Sequence, residues 1–292
     1  KTNGVYFLTT EGKIYKTFGD GRDEAVSEQT LPALHRVTPS PDGTKIIASF
    51  SYPLNETFAI FDTNTNSWER LPSGTIAATF DGTSSKIAYA QSGSNGGVFI
   101  LNLADKKTTS VMQLNALDGV LTWNKPDELL LTQRPSNSAP PEIWSIFIKN
   151  KTIKQISDRS SVMYQFSPDG NYGLKLAQPT LNDVALYLTD GGGVTITKLA
   201  FTTLPSKCSF ALQTLYCAIP REFPSRAVLP DDYLKEKFLT DDAFISYGVE
   251  TGAFTIIAQP QNPVDAEQLL VHGEQLLFRN RYDGKLYAIG LK

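Results

Sequence analysis

The chain has 292 residues, 27 of them basic and 30 acidic, for a net charge of −3. That balance does not suggest a nucleic-acid partner, which normally needs a basic stripe, and no apolar run reaches the roughly 18 residues that cross a bilayer as a helix. An apolar share of 41% with 11% aromatic residues suits a well-packed β protein, and a chain this long buries roughly three quarters of its unfolded surface without staples.

Alternating apolar hairpins follow one another from end to end. The first pairs residues 4–9 with 13–18 around Glu11-Gly12. Then come 45–50 with 58–62, 86–90 with 98–103, 128–133 with 143–148, and 172–177 with 184–188. The sixth pairs 215–219 with 243–249 and carries a long insertion; the last pairs 275–280 with 285–291 around Asp283-Gly284. Ser40-Pro41-Asp42-Gly43 precedes the second hairpin and Ser167-Pro168-Asp169-Gly170 the fifth. Proline presets φ, and Asp-Gly tolerates tight turns. The wider spacing, about 42 residues, is the length of one propeller blade.

These elements predict an all-β chain: a seven-bladed β-propeller, rather than six or eight blades, forming a single domain over 1–292. Each blade is read as strands A to D from the inside outward, so the hairpins are B–C pairs. The insertion then sits in the B–C hairpin of the sixth blade. The first blade shows B, C and D (24–29) but no A, and the last shows A (267–271), B and C but no D. Two adjacent three-stranded blades are expected, or a first strand lost with a preceding segment. Phe166 is expected to pack between blades.

Pro-Asp-Gly turns followed by an apolar B strand, with Asp-x-x-Thr-type C–D turns such as Asp62-Thr63-Asn64-Thr65, resemble the repeats of TolB-like propellers and their WD-repeat-like relatives. The resemblance touches nearly the whole chain and is strongest over 40–68 and 166–199. Gly284-Lys285-Leu286-Tyr287-Ala288 also looks like a quinoprotein-type blade. Such motifs imply blade geometry and carry little about activity.

Cys208 and Cys217 flank what aligns as the A–B hairpin of the sixth blade. A two-residue turn at Leu212-Gln213 places them opposite each other, at about 4.5–5.5 Å between Cα atoms, which a disulfide accepts. The alternative is a pair of buried thiols; two thiols with no nearby histidine make half a zinc site. A bridge points to an oxidising compartment: periplasmic, secreted or cell surface.

The insertion, 221–242, is the candidate recognition element, because long loops in compact domains are often functional. Its candidate contacts are Arg221, Phe223, Arg226, Asp231, Asp232 and Tyr233, joined by Arg134, Arg279, Arg281 and Tyr282 from neighbouring loops. The opposing reading is a plug, with Phe223, Tyr233 and Phe238 turned inward and the charged stretch 231–237 facing out. Catalytic templates fail. The histidines are only His35 and His272, no Gly-x-Ser-x-Gly or His-Glu-x-x-His is present, and the loop acids lack EF-hand spacing. No catalytic residue, metal or cofactor is expected.

The expectation is therefore a non-enzymatic, extracytoplasmic binding or scaffold propeller that recognises a protein or cell-envelope component through one loop face. No nucleic-acid partner is expected, and the abrupt start at Lys1 is compatible with a removed N-terminal anchor. Two alternatives stand beside it. One is a propeller enzyme, a metal-assisted hydrolase or lyase working at the central channel. The other is a propeller module of a larger protein.

Overall fold

The computed structural model describes residues 4–18, 22–114, 118–133, 141–156, 161–180 and 183–291. They form seven antiparallel sheets and a single four-residue α-helix, the strand content of a seven-bladed β-propeller. Blade 1 has three strands, β1 (Gly4–Leu8), β2 (Ile14–Phe18) and β3 (Asp23–Ser27). Blade 2 has β4 (Arg36–Pro39), β5 (Lys45–Phe50), β6 (Thr57–Asp62) and β7 (Ser67–Arg70). Blade 3 has β8 (Thr75–Phe80), β9 (Lys86–Gln91), β10 (Gly97–Asn102) and β11 (Thr108–Gln113). Blade 4 has β12 (Val120–Lys125), β13 (Glu128–Thr132), β14 (Ile143–Phe147) and β15 (Thr152–Gln155). Blade 5 has β16 (Ser161–Phe166), β17 (Tyr172–Thr180), β18 (Asp183–Asp190) and β19 (Thr195–Lys198). Blade 6 has β20 (Cys208–Ala211), β21 (Thr214–Pro220), β22 (Asp242–Gly248) and β23 (Phe254–Ala258). Blade 7 has three strands, β24 (Ala266–His272), β25 (Gln275–Asn280) and β26 (Leu286–Gly290). Among the described residues each end blade has three strands.

The chain divides into two compact units. The first comprises 1–131 with 146–153, the second 132–145 with 154–292.

In the first unit, the inner strands are apolar on both faces because blades pack on either side. Ile46, Ile47 and Ala48 of β5 and Phe58, Ala59, Ile60 and Phe61 of β6 are all buried. Their outer neighbour β7 reads Ser-Trp-Glu-Arg and is mostly exposed. The Ser-Pro-Asp-Gly turn closes on itself. Ser40 Oγ donates to Asp42 Oδ1 (2.6 Å) and accepts from the Lys45 amide (2.9 Å). The Asp42 amide in turn donates to Ser84 Oγ of the next blade, 42 residues on. Burial opposes the Asp42 charge, yet hydrogen bonds from Ser40, Thr44 and Ser84 lower its pKa to about 2. In the second unit, Ser167 and Asp169 repeat the contact at 2.5 Å, and Ser167 Oγ again accepts the amide five residues on.

The core of the second unit joins Leu174, Leu176, Leu186 and Leu188 of blade 5 to Leu215, Cys217 and Ile245 of blade 6. Cys208 and Cys217 are a register pair and form a disulfide, with Cα atoms 4.1 Å apart. The two-residue turn is the expected one, with Leu212 at φ 54°. Two expectations need correction. Phe166 is only half-buried and stacks on Tyr164 at 6.0 Å, so it is not a core side chain. The loop expected over 178–183 contracts, because β17 runs to Thr180 and pairs it with Asp183.

Candidate functional site

The insertion leaves β21 after Pro220 and returns at Asp242, the first residue of β22. Between them the backbone makes one short helix, α1 (Asp231–Leu234), whose first turn holds two acids. Leu229 and Tyr233 are 4% exposed, and Phe223, Ala227 and Phe238 pack against the same core. Phe238 meets Phe223 and Tyr233 edge-on, at 6.5 and 5.9 Å. The inner side of the insertion therefore adds to the hydrophobic core of the second unit.

Beneath Tyr233 lies a charged cluster sealed from solvent. The side chains of Lys207, Asp242 and Asp265 are each 0% exposed. Lys207 Nζ donates to Asp265 Oδ1 (2.5 Å), Thr240 Oγ1 (3.0 Å) and the Tyr233 hydroxyl (3.1 Å), and lies 2.8 Å from Asp242 Oδ2. Asp265 also accepts from the Tyr233 hydroxyl (2.7 Å), the Thr240 amide (3.2 Å) and Arg281 Nη1 (3.0 Å). The Arg281 guanidinium stacks 4.3 Å from the centre of the Tyr233 ring.

Electrostatics separates the two carboxylates. Burial pushes the Asp265 pKa up, but Lys207 and the surrounding donors hold it below the ordinary range. Asp242 accepts from Lys207 and the Ala266 amide, its Oδ1 has no hydrogen-bond partner among the described residues, and burial wins: its pKa is raised. Burial also works against the Lys207 charge, but Asp242, Tyr233 and Asp265 outweigh it and raise the pKa. Burial lifts the Tyr233 pKa to about 12. A buried ion pair needs such extra hydrogen bonds to offset its lost hydration. The cluster anchors the insertion to the foot of β24.

The expected contact residues divide accordingly. Tyr233 and Arg281 belong to the buried anchor, the Arg281 side chain being 8% exposed. Phe223 packs inward. Asp231 pairs with Lys235 (3.1 Å), and Asp232 with Lys237 (2.6 Å) and the Val228 amide (2.9 Å). Arg221 bonds Asp241 (3.2 Å) and the Pro260 carbonyl (3.0 Å), and Arg279 bonds Glu267 (2.6 Å). Arg226 and Tyr282 are exposed, Tyr282 by 47%. Arg134 lies outside the described residues. Sequence reading missed Lys207, Thr240 and Asp265; the acidic pair at the foot of a strand, Asp241-Asp242, was the nearest local signal.

What remains outward is a rim. Val228, Leu234 and Leu239 are 43, 46 and 42% exposed, beside exposed Lys235, Glu236 and Lys237. Elsewhere, His35 Nδ1 lies 2.7 Å from Glu56 Oε1 with Tyr52 stacked on the ring at 4.0 Å. A groove of about 480 Å³ in the first unit is lined by the Lys45–Asp62 and Lys106–Glu69 pairs. Among the described residues, no three His, Cys, Asp or Glu side chains are placed to hold a metal.

No family model matches the chain, and no curated protein does. Solved structures do. TolB from Acinetobacter baumannii is 15% identical, with a TM-score of 0.55 over 86% of this chain and 62% of that one. The tricorn protease is 11% identical, with a TM-score of 0.61 over 99% of this chain and 32% of that one. The β-propeller domain of the Trilobed protease from Pyrococcus furiosus, described as an open velcro topology, is 12% identical, with a TM-score of 0.61 over 98% and 90%. At such identities the likeness is one of fold. The chain spans 62% of TolB and about a third of the tricorn protease.

Proposed function

We propose that this chain is a non-enzymatic, extracytoplasmic binding propeller that recognises a protein or cell-envelope component through the rim of the sixth-blade insertion. One observation carries the reading. The inner side of the insertion is tied into the core by Lys207 and Asp265, while its outer side leaves Val228, Leu234 and Leu239 in solvent beside lysines. A loop that only plugged the blade would have no use for three exposed aliphatic side chains in one short stretch. Apolar groups bordered by charge are the composition of a recognition surface. The Cys208–Cys217 bridge supports an oxidising compartment.

The test is crosslinking in the native cells, with wild type beside a rim variant carrying Val228→Ser, Leu234→Ser and Leu239→Ser. The rim variant should lose the specific crosslinked partner and keep the wild-type melting temperature. Retention of the same partner by the rim variant would overturn the assignment.

A second reading is favoured by the coverage. The chain matches only 32% of the tricorn protease, so it also fits the propeller module of a larger protein. The full length of its gene separates the two. The enzyme alternative, with a metal-assisted site, stays open; its sign is a stoichiometric metal in the purified protein.

A further inference from the structure

Arg36 opens β4, and its register partner across the β4–β5 pair is Ser49. Directly opposed residues place their side chains on the same face of a sheet. Thr38, two residues along β4, shares that face, as does its own register partner, Ile47. The face turns to blade 3, where Ile47 joins the apolar core that holds Phe80 and Ile87. Between these side chains and Val120 and Leu121 of β12 lies a cavity of about 30 Å³, wholly within the first unit.

The polar part of the lining is made of donors. Ser49 is 0% exposed, and its Oγ has no hydrogen-bond partner among the described residues. A buried hydroxyl left without a partner is costly, and its hydrogen rotates to suit whatever lies beside it. Thr38 supplies a second hydroxyl to the same cavity. The Arg36 guanidinium donates from Nη1 to the Gly119 carbonyl (2.5 Å), and its Nη2 lies 3.6 Å from Asp118 Oδ1. These contacts hold the group where β4 meets the start of β12. A guanidinium donates at every N–H and accepts nowhere. None of the lining residues is acidic, and half-exposed Asp118 stays outside the lining, so the formal charge at the cavity wall is positive.

We propose that this cavity binds a single monatomic anion, chloride or bromide, held by the Arg36 charge and by the Ser49 and Thr38 hydroxyls. The size admits one small ion, since roughly 10–15 Å³ suffices for a water-sized particle; a carboxylate or phosphate needs more room than about 30 Å³. The sign of the ion follows from the donors. A cation would meet the guanidinium at close range. Hydrogen bonds to an ionised acceptor are shorter and about twice as strong as neutral ones. The apolar walls, Ile47, Val120 and Leu121, keep the local dielectric low, where the attraction of Arg36 is strongest. Water is the competing occupant. It needs acceptors as well as donors to make its usual three or so bonds, and among the lining side chains only the two hydroxyls accept.

Two measurements test this: diffraction at the bromine absorption edge from crystals soaked in sodium bromide, and thermal melts in sodium bromide against sodium gluconate at equal ionic strength. The anomalous map should show a peak between Arg36 and Ser49. The melting temperature should rise saturably with bromide and not with gluconate. Ser49→Ala removes a hydrogen bond to the ion and should raise the half-saturating bromide concentration at least about tenfold. Arg36→Gln, which removes the charge, should do the same, whatever it does to the melting temperature in gluconate. Thr189→Ala deletes a buried hydroxyl of blade 5 that also has no partner among the described residues, and should leave the bromide response unchanged. Water alone at the cavity of the bromide-soaked crystal overturns the proposal, as does a bromide response that survives both Ser49→Ala and Arg36→Gln. A bromide peak without a saturable rise in melting temperature marks an adventitious ion only and overturns it as well.

Discussion

The Tyr233 hydroxyl donates to Asp265 Oδ1 across 2.7 Å, although the two residues are 32 positions apart. One comes from the helix of the insertion and the other from the foot of β24. Truncating one partner of a buried hydrogen bond leaves the other unsatisfied. Tyr233→Phe should therefore destabilise by about 1–3 kcal/mol, and Tyr233→Ala, which also opens a cavity, by about 3–5 kcal/mol. Chemical denaturation of the two variants beside wild type checks both. A neutral Tyr233→Phe would show that the hydroxyl contributes nothing to the anchor.

The same cluster sets how stability depends on pH. Lys207 and Tyr233 both have raised pKa values in the fold, Tyr233 to about 12. Each binds its proton more tightly when folded, so its contribution is full below the unfolded value near 10 and lost as pH rises through the folded one. Asp265, held low, contributes stability above the ordinary carboxylate range and loses it as pH falls through its folded value. Asp242, raised by burial, acts in the opposite sense and is relieved by protonation. Unfolding free energies measured from pH 4 to 12 should show a steep loss above about pH 10, and Tyr233→Phe should flatten part of it.

Reduction of the Cys208–Cys217 bridge should cost about 2–3 kcal/mol, the value expected for a loop of roughly ten residues. The sequence separation of 9 keeps the effect modest. The paired substitution Cys208→Ala with Cys217→Ala should show a similar loss in chemical denaturation. Non-reduced peptide mapping should return the two cysteines in one disulfide-linked fragment.

Core cost should follow burial rather than residue type. Phe61 is 0% exposed and meets Trp68 at 5.0 Å. Phe61→Ala should cost about 3–5 kcal/mol. Half-buried Phe166 vacates no sealed cavity, so Phe166→Ala should cost clearly less, about 1–2 kcal/mol. Parallel thermal and urea melts decide whether the two differ in that order.

The blades could be read from the chain because each is made locally. Alternation along β5 and β6, and a serine and aspartate that close their own turn within five residues, act over short separations. The disulfide was legible for the same reason: nine residues and a two-residue turn set its register. Phe166 was misjudged because it is the last residue of β16, beside a turn whose Pro168 and Asp169 are exposed, so the strand end is only half covered. The anchor was illegible for a different reason. A lysine beside a cysteine and an aspartate before a strand read as solvated groups. Their burial depends on partners 16 to 58 residues away, which no local pattern announces. The insertion showed its length and its aromatic residues, but not that Tyr233 and Arg281 stack over a shared carboxylate.

The sealed cluster also governs how freely the insertion moves. Swinging α1 away from the sheet would leave Lys207 one acceptor short and Asp265 one donor short in a dry interior, so local opening is opposed. The amides of residues 229–237 should thus exchange more slowly than those of a solvent-mounted loop. Leu234 and its neighbours are consequently displayed on a rigid mount, and a molecule that docks there forfeits little configurational freedom in doing so.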